Sequence, residues 1–356
     1  MPIFTAFCFS DIAKIEVLLS KCSIREGKVR IALDQKGSFY LPKVLQGASL
    51  VPRCLWFVKP SSISKVVDKQ CPYLETDPEV NRDAKLPWKG IKLSGKVEAE
   101  FLFGTLLSKN VVPFGWQKFS LVTLPLVYDA NQNEYKLCNQ KALIERGKVY
   151  MAQWLEEAEK KWERLKKSQF SLLGRLNWGR NLTIQSPQGY YKVIYGASGT
   201  HLCACVVDSM EETLKEITIY GLNIKGFVVD TKTYCLAVKN KEEAHYLCAI
   251  LNSLFVDRAI KAFQTKGSFG AKKGKGQRDI HRRPFEVLPI PFYNTENGLH
   301  RSLSLLSQQC HERVRGFLQD HSQRPAKIGL LRKKIREFLD NELKKIDNDV
   351  RKLFPH

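Results

Sequence analysis

The sequence Tyr190-Tyr-Lys-Val-Ile-Tyr-Gly-Ala-Ser-Gly-Thr-His-Leu-Cys-Ala-Cys-Val-Val207 predicts two β-strands joined by a turn. Tyr190–Tyr195 is rich in aromatic and β-branched residues, which favour strands, and Gly196–Gly199 has the small residues typical of a turn. Leu202–Val207 is the second strand. Three more strand-like runs follow, at Ile217–Tyr220, Gly226–Val229 and Thr233–Val238. Residues 176–236 are therefore expected to be rich in β-structure.

Helical periodicity is present on both sides of this region. In Lys148–Lys167, Trp154, Ala158 and Trp162 fall on one face and charged residues fall on the other, which is typical of an amphipathic helix. Lys241–Phe263 is also expected to be helical. Lys327–Leu353 has an apolar seam close to a heptad, which favours packing on another long helix, within the chain or in a partner. Together these patterns predict an α+β fold class, with a mixed β-rich domain and flanking long helices.

The first part of the chain is less regular. Leu50–Val58 and Phe119–Val127 are expected to be strands, and Pro52 places the first at an edge or at a strand start. Lys96–Leu107 has apolar residues at helical spacing. The turn-rich residues 129–134 favour a boundary nearby. We predict an N-terminal α+β domain over 1–145, a β-rich domain over 146–325 and a C-terminal amphipathic helix over 326–356.

The segment Gln264–Arg283 carries the strongest functional signal. It has seven lysines and arginines against one acid, Asp279, and five glycine or alanine residues that leave its backbone accessible. A surface that is both cationic and accessible suits a phosphate polymer. The segment lies between the helix-like stretch Ala244–Phe263 and the proline-punctuated stretch Pro284–Pro291. A loop held between two ordered anchors is typical of a binding element.

The whole chain is basic. Its 356 residues include 57 lysines and arginines against 36 acids, a formal net charge of +21. This excess favours a polyanionic partner, and nucleic acid over a membrane, because the longest apolar runs are far too short to span a bilayer. Met1–Ser10 is apolar but lacks a basic leader, so we expect no signal peptide and a cytoplasmic location.

Several familiar kinds of site are not favoured. The ten cysteines contain no C-x-x-C pair, so we expect reduced thiols that pack as small hydrophobic groups, and no metal site. Gly270 and Gly274 are separated by three residues and Lys275 is followed by Gly276, which does not fit an ATP-binding loop. No arrangement of residues typical of a hydrolase or nuclease stands out.

Nine stretches of the chain form a series: Gly47–Val58, Lys85–Gly90, Gly95–Glu98, Phe101–Phe103, Val111–Gly115, Ala244–Ser253, Gly267–Gly270, Arg278–His281 and Leu288–Pro291. In order and spacing they resemble the C-terminal target-recognition region of adenine-specific DNA methyltransferases of restriction–modification systems. The type IIG and Eco57I-like single-chain enzymes are the most similar, and the specificity subunits of type I systems are similar in logic. The resemblance spans residues 45–310.

The resemblance implies a division of labour. In that family a separate catalytic half binds S-adenosylmethionine and holds the flipped adenine against an Asn/Asp-Pro-Pro-Tyr/Phe motif. This chain lacks the motif, since its nearest match, Asp77-Pro-Glu-Val80, has neither the second proline nor the aromatic ring. A glycine-rich strand–turn–helix entry for the cofactor is also missing. We therefore expect no cofactor and no catalytic residue in this chain. A partner methyltransferase chain or domain would hold S-adenosylmethionine, or the partner has been lost.

Charge and resemblance together predict a specificity module that recognises a particular sequence of double-stranded DNA. In this interpretation lysines grip phosphates, Gln277 and Arg278 read base edges, and Phe269 stacks on or wedges at a base. The predicted DNA-binding residues are Arg53, Lys266, Ser268, Phe269, Lys272, Lys273, Lys275, Gln277, Arg278, His281, Arg282 and Arg283.

Alternatives remain open at this point. The cationic run could be a solvated face, Arg53 could pair with Glu98 or Glu100, and His281 could make a structural hydrogen bond. For the protein as a whole, the alternative is an RNA- or single-stranded-DNA-binding protein without sequence preference, which would use the same cations with aromatic stacking.

Overall fold

The computed structural model describes residues 24–26, 29–31, 37–61, 68–129, 131–132, 134–185, 190–264, 278–320 and 327–354. Within them the fold class is α+β, as predicted, with mainly antiparallel sheets and helices grouped against them. The strands are β1 (Ile24–Glu26), β2 (Val29–Ile31), β3 (Leu45–Gln46), β4 (Phe57–Pro60), β5 (Tyr73–Thr76), β6 (Ser94–Lys96), β7 (Leu102–Leu106), β8 (Val111–Val112), β9 (Gly115–Trp116), β10 (Ser120–Thr123), β11 (Leu126–Asp129), β12 (Glu134–Leu137), β13 (Tyr191–Gly196), β14 (Ser198–Gly199), β15 (Ala204–Asp208), β16 (Thr218–Ile219), β17 (Leu222–Asn223), β18 (Phe227–Val229), β19 (Thr233–Val238) and β20 (Arg278–Asp279).

The helices follow the same chain order. They are α1 (Arg53–Trp56), α2 (Pro78–Asn81), α3 (Gln140–Glu145), α4 (Val149–Leu165), α5 (Leu172–Leu176), α6 (Glu211–Glu216), α7 (Lys241–Asn252), α8 (Leu254–Lys261), α9 (Arg283–Val287), α10 (Gly298–Gln319), α11 (Ile328–Phe338) and α12 (Asp340–Leu353). Short 3-10 turns occur at Leu41–Lys43, Ala99–Phe101, Ser108–Asn110 and Trp178–Arg180.

A six-stranded sheet organises the first core. Its strand order is β18–β7–β10–β4–β5–β6, and β18 runs parallel to β7 while the other pairs are antiparallel. Helix α4 packs on this core with its predicted face, since Trp154, Ala158 and Trp162 are buried. The indole N–H of Trp154 donates to the Leu55 carbonyl at 3.1 Å, which joins the helix to α1, the turn before β4.

A four-stranded sheet, in the order β15–β13–β19–β3, lies between the first core and a second one. Successive side chains of a strand point to opposite faces. Val193 and Tyr195 of β13 therefore join the second core, while Ile194 between them joins the first. The strands predicted from Tyr190–Val207 thus form a layer that both cores share.

The second core is covered by α7, α8, α10, α11 and α12, and two predicted helices are each broken. The region 241–263 divides at Ser253, which is extended; its hydroxyl caps α8 by accepting from Phe255 N and donates to Asp347 at 2.6 Å. The region 327–353 divides at Leu339, but its apolar seam stays buried through the break and packs within the chain.

Two predictions for the first part of the chain are wrong. Residues 96–107, expected to be helical, contain strand β7, Leu102–Leu106, which is buried on both faces and therefore lacks the polar–apolar alternation that identifies a strand. Of residues 50–58, Phe57 and Val58 belong to strand β4, but Arg53–Trp56 form the helical turn α1, and β4 is an inner strand and not an edge. Phe119–Val127 forms strands as predicted, β10 and the start of β11, interrupted at 124–125.

The free side of β18 is closed by two side chains and by the backbone of Ala48, whose N–H donates to Val229 O at 2.7 Å. Lys192, on β13, donates from Nζ to the Phe227 carbonyl at 2.7 Å. The amide of Gln185 accepts from Val229 N at 2.7 Å and donates to Val229 O at 3.1 Å. An exposed strand edge would otherwise present unpaired backbone groups. Lys192 is almost fully buried, and burial lowers its pKa to about 8.

The division at residue 145 stays a prediction, and sheet pairing crosses it. β18 and β19 come after residue 145, but β18 pairs with β7 and β19 pairs with β3, which both come before it. Arg332 on α11 donates to the carbonyls of Ser108 and Val111, at 2.7 and 3.0 Å. The segments before and after residue 145 therefore complete one another's layers.

Candidate nucleic-acid interface

The turn between β13 and β15, residues 197–203, is the base from which the predicted basic segment departs. Its backbone is occupied by hydrogen bonds from neighbouring elements. Ala197 O accepts from the backbone N–H groups of Ile280 and His281, at 2.9 and 3.1 Å. Asn252, at the end of α7, accepts from Ala204 N at 3.1 Å and donates to Ala204 O at 2.9 Å. These bonds fix the turn on both sides.

The N-terminal stem of the segment is α8, and it is held to the turn by Asp257. This buried carboxylate accepts from Leu202 N at 2.8 Å, and its other oxygen lies 3.1 Å from Nδ1 of His201. Lys261 Nζ lies 3.7 Å from the same oxygen. Burial alone would raise the pKa of Asp257, but the hydrogen bonds from His201 and Leu202 act against burial and the net result is a lowered pKa. The carboxylate therefore stays charged and keeps α8 against the turn.

The C-terminal stem is β20, which pairs with β14 on the same turn. Arg278 lies opposite Gly199 and Asp279 opposite Ser198. The next residues are also fixed, because Tyr195 donates its hydroxyl hydrogen to the His281 carbonyl at 2.9 Å and Tyr234 Oη lies 3.0 Å from His281 Nδ1. His281 has a φ of 44°, a left-handed backbone that is uncommon outside glycine and that these contacts hold in place.

The structure thus places the predicted site residues in three groups. Arg278 and His281 lie at the stem, half-exposed or nearly so, and His281 makes the structural hydrogen bond that was one of the two alternatives. Seven other predicted residues lie outside the described residues. They are Lys266, Ser268, Phe269, Lys272, Lys273, Lys275 and Gln277.

The remaining three arginines have protein partners. Arg282 donates to the Leu41 carbonyl, and its buried Nε has no hydrogen-bond partner within the described part of the chain. Arg283 forms an ion pair of 3.0 Å with Glu286 on the surface of α9. Both side chains remain partly exposed, so a phosphate could still approach them.

Arg53 has a structural partner that sequence reasoning did not identify. Its Nη2 lies 3.3 Å from Oδ1 of the buried Asp230, and its guanidinium lies over the Phe57 ring. Burial raises the pKa of Asp230, and the positive charge of Arg53 lowers it in part. Glu98 and Glu100, the partners that the sequence left as an alternative to DNA, instead contact the start of α4: Glu98 accepts from Met151 N at 2.8 Å, and Glu100 pairs with Lys148.

Four cationic or titratable groups beside the turn were missed by sequence reasoning as site residues. Arg258 is exposed on α8, and His201 and Lys261 share Asp257. Arg336 donates to the Leu202 carbonyl at 2.6 Å, while its buried Nε and Nη1 have no hydrogen-bond partner among the residues the structure describes. The spacing of Arg332 and Arg336 one helical turn apart was the available signal, because it places both on one side of α11.

The described residues contain no group of three or more His, Cys, Asp and Glu side chains that could hold a metal ion. The cysteines among them are free thiols, and most are buried.

Two histidines line a cavity of about 360 Å³ between α7 and α10; they are His245 and His311. His311 donates from Nδ1 to Ser307 O and accepts from Val206 N, so it is neutral, and burial lowers its pKa to about 4.

No helix among the described residues combines the length and the apolar character needed to cross a bilayer.

Comparison with known proteins gives structural neighbours alone. No protein-family model and no curated protein match the chain. Among solved structures, it is similar to the type IIL restriction–modification enzyme MmeI in complex with DNA, at 9% identity and a TM-score of 0.47, over 94% of this chain and 34% of that one. It is also similar to the type IIG restriction endonuclease BpuSI, at 13% identity and a TM-score of 0.34, over 88% and 31%. The chain spans about a third of the length of each. At these identities and TM-scores the likeness carries no function over to this chain.

Proposed function

We propose that this chain recognises a specific sequence of double-stranded DNA for an adenine methyltransferase of a restriction–modification system. Methyl transfer and S-adenosylmethionine binding would belong to another chain or domain. One observation carries the proposal: both stems of the cationic segment are fixed to the same short turn, the one between β13 and β15. Asp257 on α8 holds one stem and the β14–β20 pair holds the other.

Anchoring of this kind favours recognition over loose attraction. Binding costs conformational entropy for every segment that becomes ordered, and fixed stems reduce the number of arrangements that must be given up. A free basic tail would attract any polyanion equally well. Reading base edges requires side chains held near one position, and a segment fixed at both ends reaches such an arrangement at a lower entropic cost than a free tail does.

The chemical roles follow from residue type. Lys266, Lys272, Lys273 and Lys275 supply compact positive charges for phosphates, which set affinity and its salt dependence. Gln277 and Arg278 carry the flat, forked groups that bind adenine and guanine edges. Arg278 is the one of these six whose position is described, and it lies on the strand nearest the turn.

The first test compares three probes of equal length: duplex DNA of random sequence, single-stranded DNA and RNA. Fluorescence anisotropy of each labelled probe gives its affinity for the chain. We expect the duplex to bind best, because the proposed base readers, Gln277 and Arg278, act on base edges that a duplex groove presents. Tighter binding of RNA or single strands would favour the alternative class of sequence-blind binder.

A second test concerns the division of labour. The purified chain is incubated with duplex DNA and radiolabelled S-adenosylmethionine, and methyl incorporation is measured. We expect none from the chain alone. Incorporation into adenine would show that the catalytic atoms lie in this polypeptide and would overturn this part of the proposal. A neighbouring reading frame that encodes an Asn-Pro-Pro-Tyr motif is the expected source of the catalytic partner.

A further inference from the structure

A second basic segment, unlike the first, lies within the described residues. Residues 164–185 contain five lysines and arginines and no aspartate or glutamate. The cations are Arg164, Lys166, Lys167, Arg175 and Arg180. The nearest acid along the chain, Glu163, already pairs with Lys166 at 2.7 Å. The segment itself therefore carries a strong excess of positive charge.

Two aromatic rings lie exposed within this positive segment. The side chains of Phe170 and Trp178 are 43% and 47% exposed, and their rings contact each other edge to face with centroids 4.7 Å apart. Large aromatic groups are normally buried, so a pair of exposed rings beside cations favours a partner with flat apolar faces and negative charge. A nucleic acid has both.

The segment is held in place rather than loosely attached. Leu172, Leu176 and Leu182 are buried in the first core, and the indole N–H of Trp162 donates to the Phe170 carbonyl at 3.0 Å. The side chain of Asn177 closes the turn by accepting from the backbone N–H groups of Leu182 and Thr183, both at 3.2 Å.

The turn beside Trp178 also has an unusual backbone. Gly179 and Arg180 have φ values of 62° and 61°, two consecutive left-handed residues. Glycine adopts this conformation without cost, but arginine does not. Strained residues that the surrounding contacts hold in place are common at binding sites. Trp178 and Arg180 both lie exposed at this turn.

We propose that residues 170–180, the aromatic tip, form a second contact with duplex DNA. Trp178 packs on a base or deoxyribose, with Phe170 supporting its ring, while Arg175 and Arg180 bind phosphates. This inference rests on the proposed function, since it assumes that the partner is DNA. It adds a surface that is separate in sequence from residues 264–283 and that fixes the orientation of the protein on the duplex.

Tryptophan fluorescence tests the contact directly. Trp178 is the most exposed of the six tryptophans, all of which lie in the described part of the chain; the others are buried or partly buried. Acrylamide, a neutral quencher, therefore acts chiefly on Trp178. We expect saturating random-sequence duplex DNA to reduce acrylamide quenching of the wild type. The variant Trp178→Phe should bind DNA and show little DNA-dependent change in quenching.

Binding measurements complete the test. Trp178→Ala should weaken duplex binding about tenfold, whereas Trp178→Phe, which keeps an aromatic ring, should weaken it much less. Arg175→Gln with Arg180→Asn should reduce the slope of affinity against salt concentration by about two units, one for each phosphate that these arginines neutralise. Asparagine is chosen because it tolerates a left-handed backbone. Circular dichroism confirms that each variant is folded.

The outcomes separate this inference from the proposed function. If DNA binds but leaves Trp178 as open to acrylamide as before, the aromatic tip is not a DNA contact, although the chain still binds DNA. If DNA does not bind at all, both proposals are wrong. Protection of Trp178 together with a weaker Trp178→Ala variant would establish the contact.

Discussion

At the scale of single residues, several charged groups that look functional in the sequence are structural in the fold. Arg53 pairs with the buried Asp230, Arg282 donates to the Leu41 carbonyl, and His281 is held by two tyrosines. A buried charge is costly unless it is paired, so the buried carboxylate of Asp230 holds Arg53 in place. A charged residue in a sequence therefore indicates function best when its side chain has no hydrogen-bond or ion-pair partner within the fold.

Replacing Arg53 tests its structural role. Arg53→Met leaves the carboxylate of Asp230 buried without its counter-charge, and we expect a loss of about 2 kcal/mol in the free energy of unfolding. Urea denaturation measures the change. The matched double variant, Arg53→Met with Asp230→Asn, should recover part of the loss. An unchanged stability in the single variant would mean that the ion pair contributes nothing and that Arg53 is free for DNA.

The histidine pair predicts acid sensitivity. Burial lowers the pKa of His245 to about 3 and that of His311 to about 4, well below the value of about 6.5 in an unfolded chain. At a pH between the folded and the unfolded pKa of a histidine, the unfolded chain binds more protons than the folded chain. Stability is therefore complete above pH 6.5 and falls as the pH decreases, by up to about 1.4 kcal/mol per pH unit for each histidine.

The measurement is the free energy of unfolding between pH 7 and pH 5. We expect His311→Gln, which keeps one acceptor for Val206 N, to be less stable at pH 7 but to lose less stability as the pH falls. Equal slopes for wild type and His311→Gln would contradict the assignment of His311 as a neutral buried group.

At the scale of elements, the sequence predicted those whose pattern is unambiguous. The hairpin at 190–207 and the helix at 148–167 combine a strong period with clear ends, and both are present. Strand β7 was misread because its buried apolar run has no alternation that distinguishes strand from helix. The long helix α10 was missed because its buried stripe includes His300, Ser304 and Ser307, polar residues that interrupt the apolar pattern.

The sequence likewise predicted one part of the candidate site and not the other. The basic character of residues 264–283 is visible in the sequence, but the anchoring of both stems to one turn depends on residues far apart in the chain. Asp257 contacts residues 201 and 202, and Arg336 contacts residue 202. Without tertiary structure, nothing in one sequence brings these residues together. The same holds for the aromatic tip, where burial of three leucines determines which rings stay outside.

The basic segment itself makes a clear prediction. Changing Lys272, Lys273 and Lys275 to glutamine removes three cations, and we expect weaker binding to all duplexes and a smaller salt dependence, by about one unit of slope for each phosphate that is no longer neutralised. Titrations at several salt concentrations measure the slope. A matched control changes Lys89, Lys92 and Lys141, three exposed lysines of the first half of the chain. If the slope of affinity against salt concentration is the same for both variants, the segment is not part of the DNA interface.

At the scale of the whole molecule, the two cores share a sheet, and the chain passes between them several times. The four-stranded sheet contributes side chains to both cores, and β18 completes the sheet that begins before residue 145. The proposed DNA contacts are attached to different parts of this frame: the cationic segment to the turn after β13, and the aromatic tip to the first core. Their relative position therefore depends on the whole fold.

This organisation predicts the behaviour of a fragment. A chain of residues 146–356 lacks β7, the partner of β18, and β3, the partner of β19. It also lacks the carbonyls that Arg332 binds. We expect the fragment to show no cooperative unfolding transition in urea, while the full chain does. A fragment that unfolds as sharply as the full chain would establish the predicted boundary at 145 as a true domain limit.

Sequence preference in duplex DNA tests the central claim most directly. A pool of duplexes with a randomised centre is bound to the chain, recovered and sequenced over several rounds, and the enriched duplex is then titrated against a random one at the same salt concentration. We predict enrichment of one short site and a preference of about 4 kcal/mol or more for it. Equal affinity for enriched and random duplexes would contradict the claim, because a chain that only attracts phosphates cannot give a methyltransferase its target.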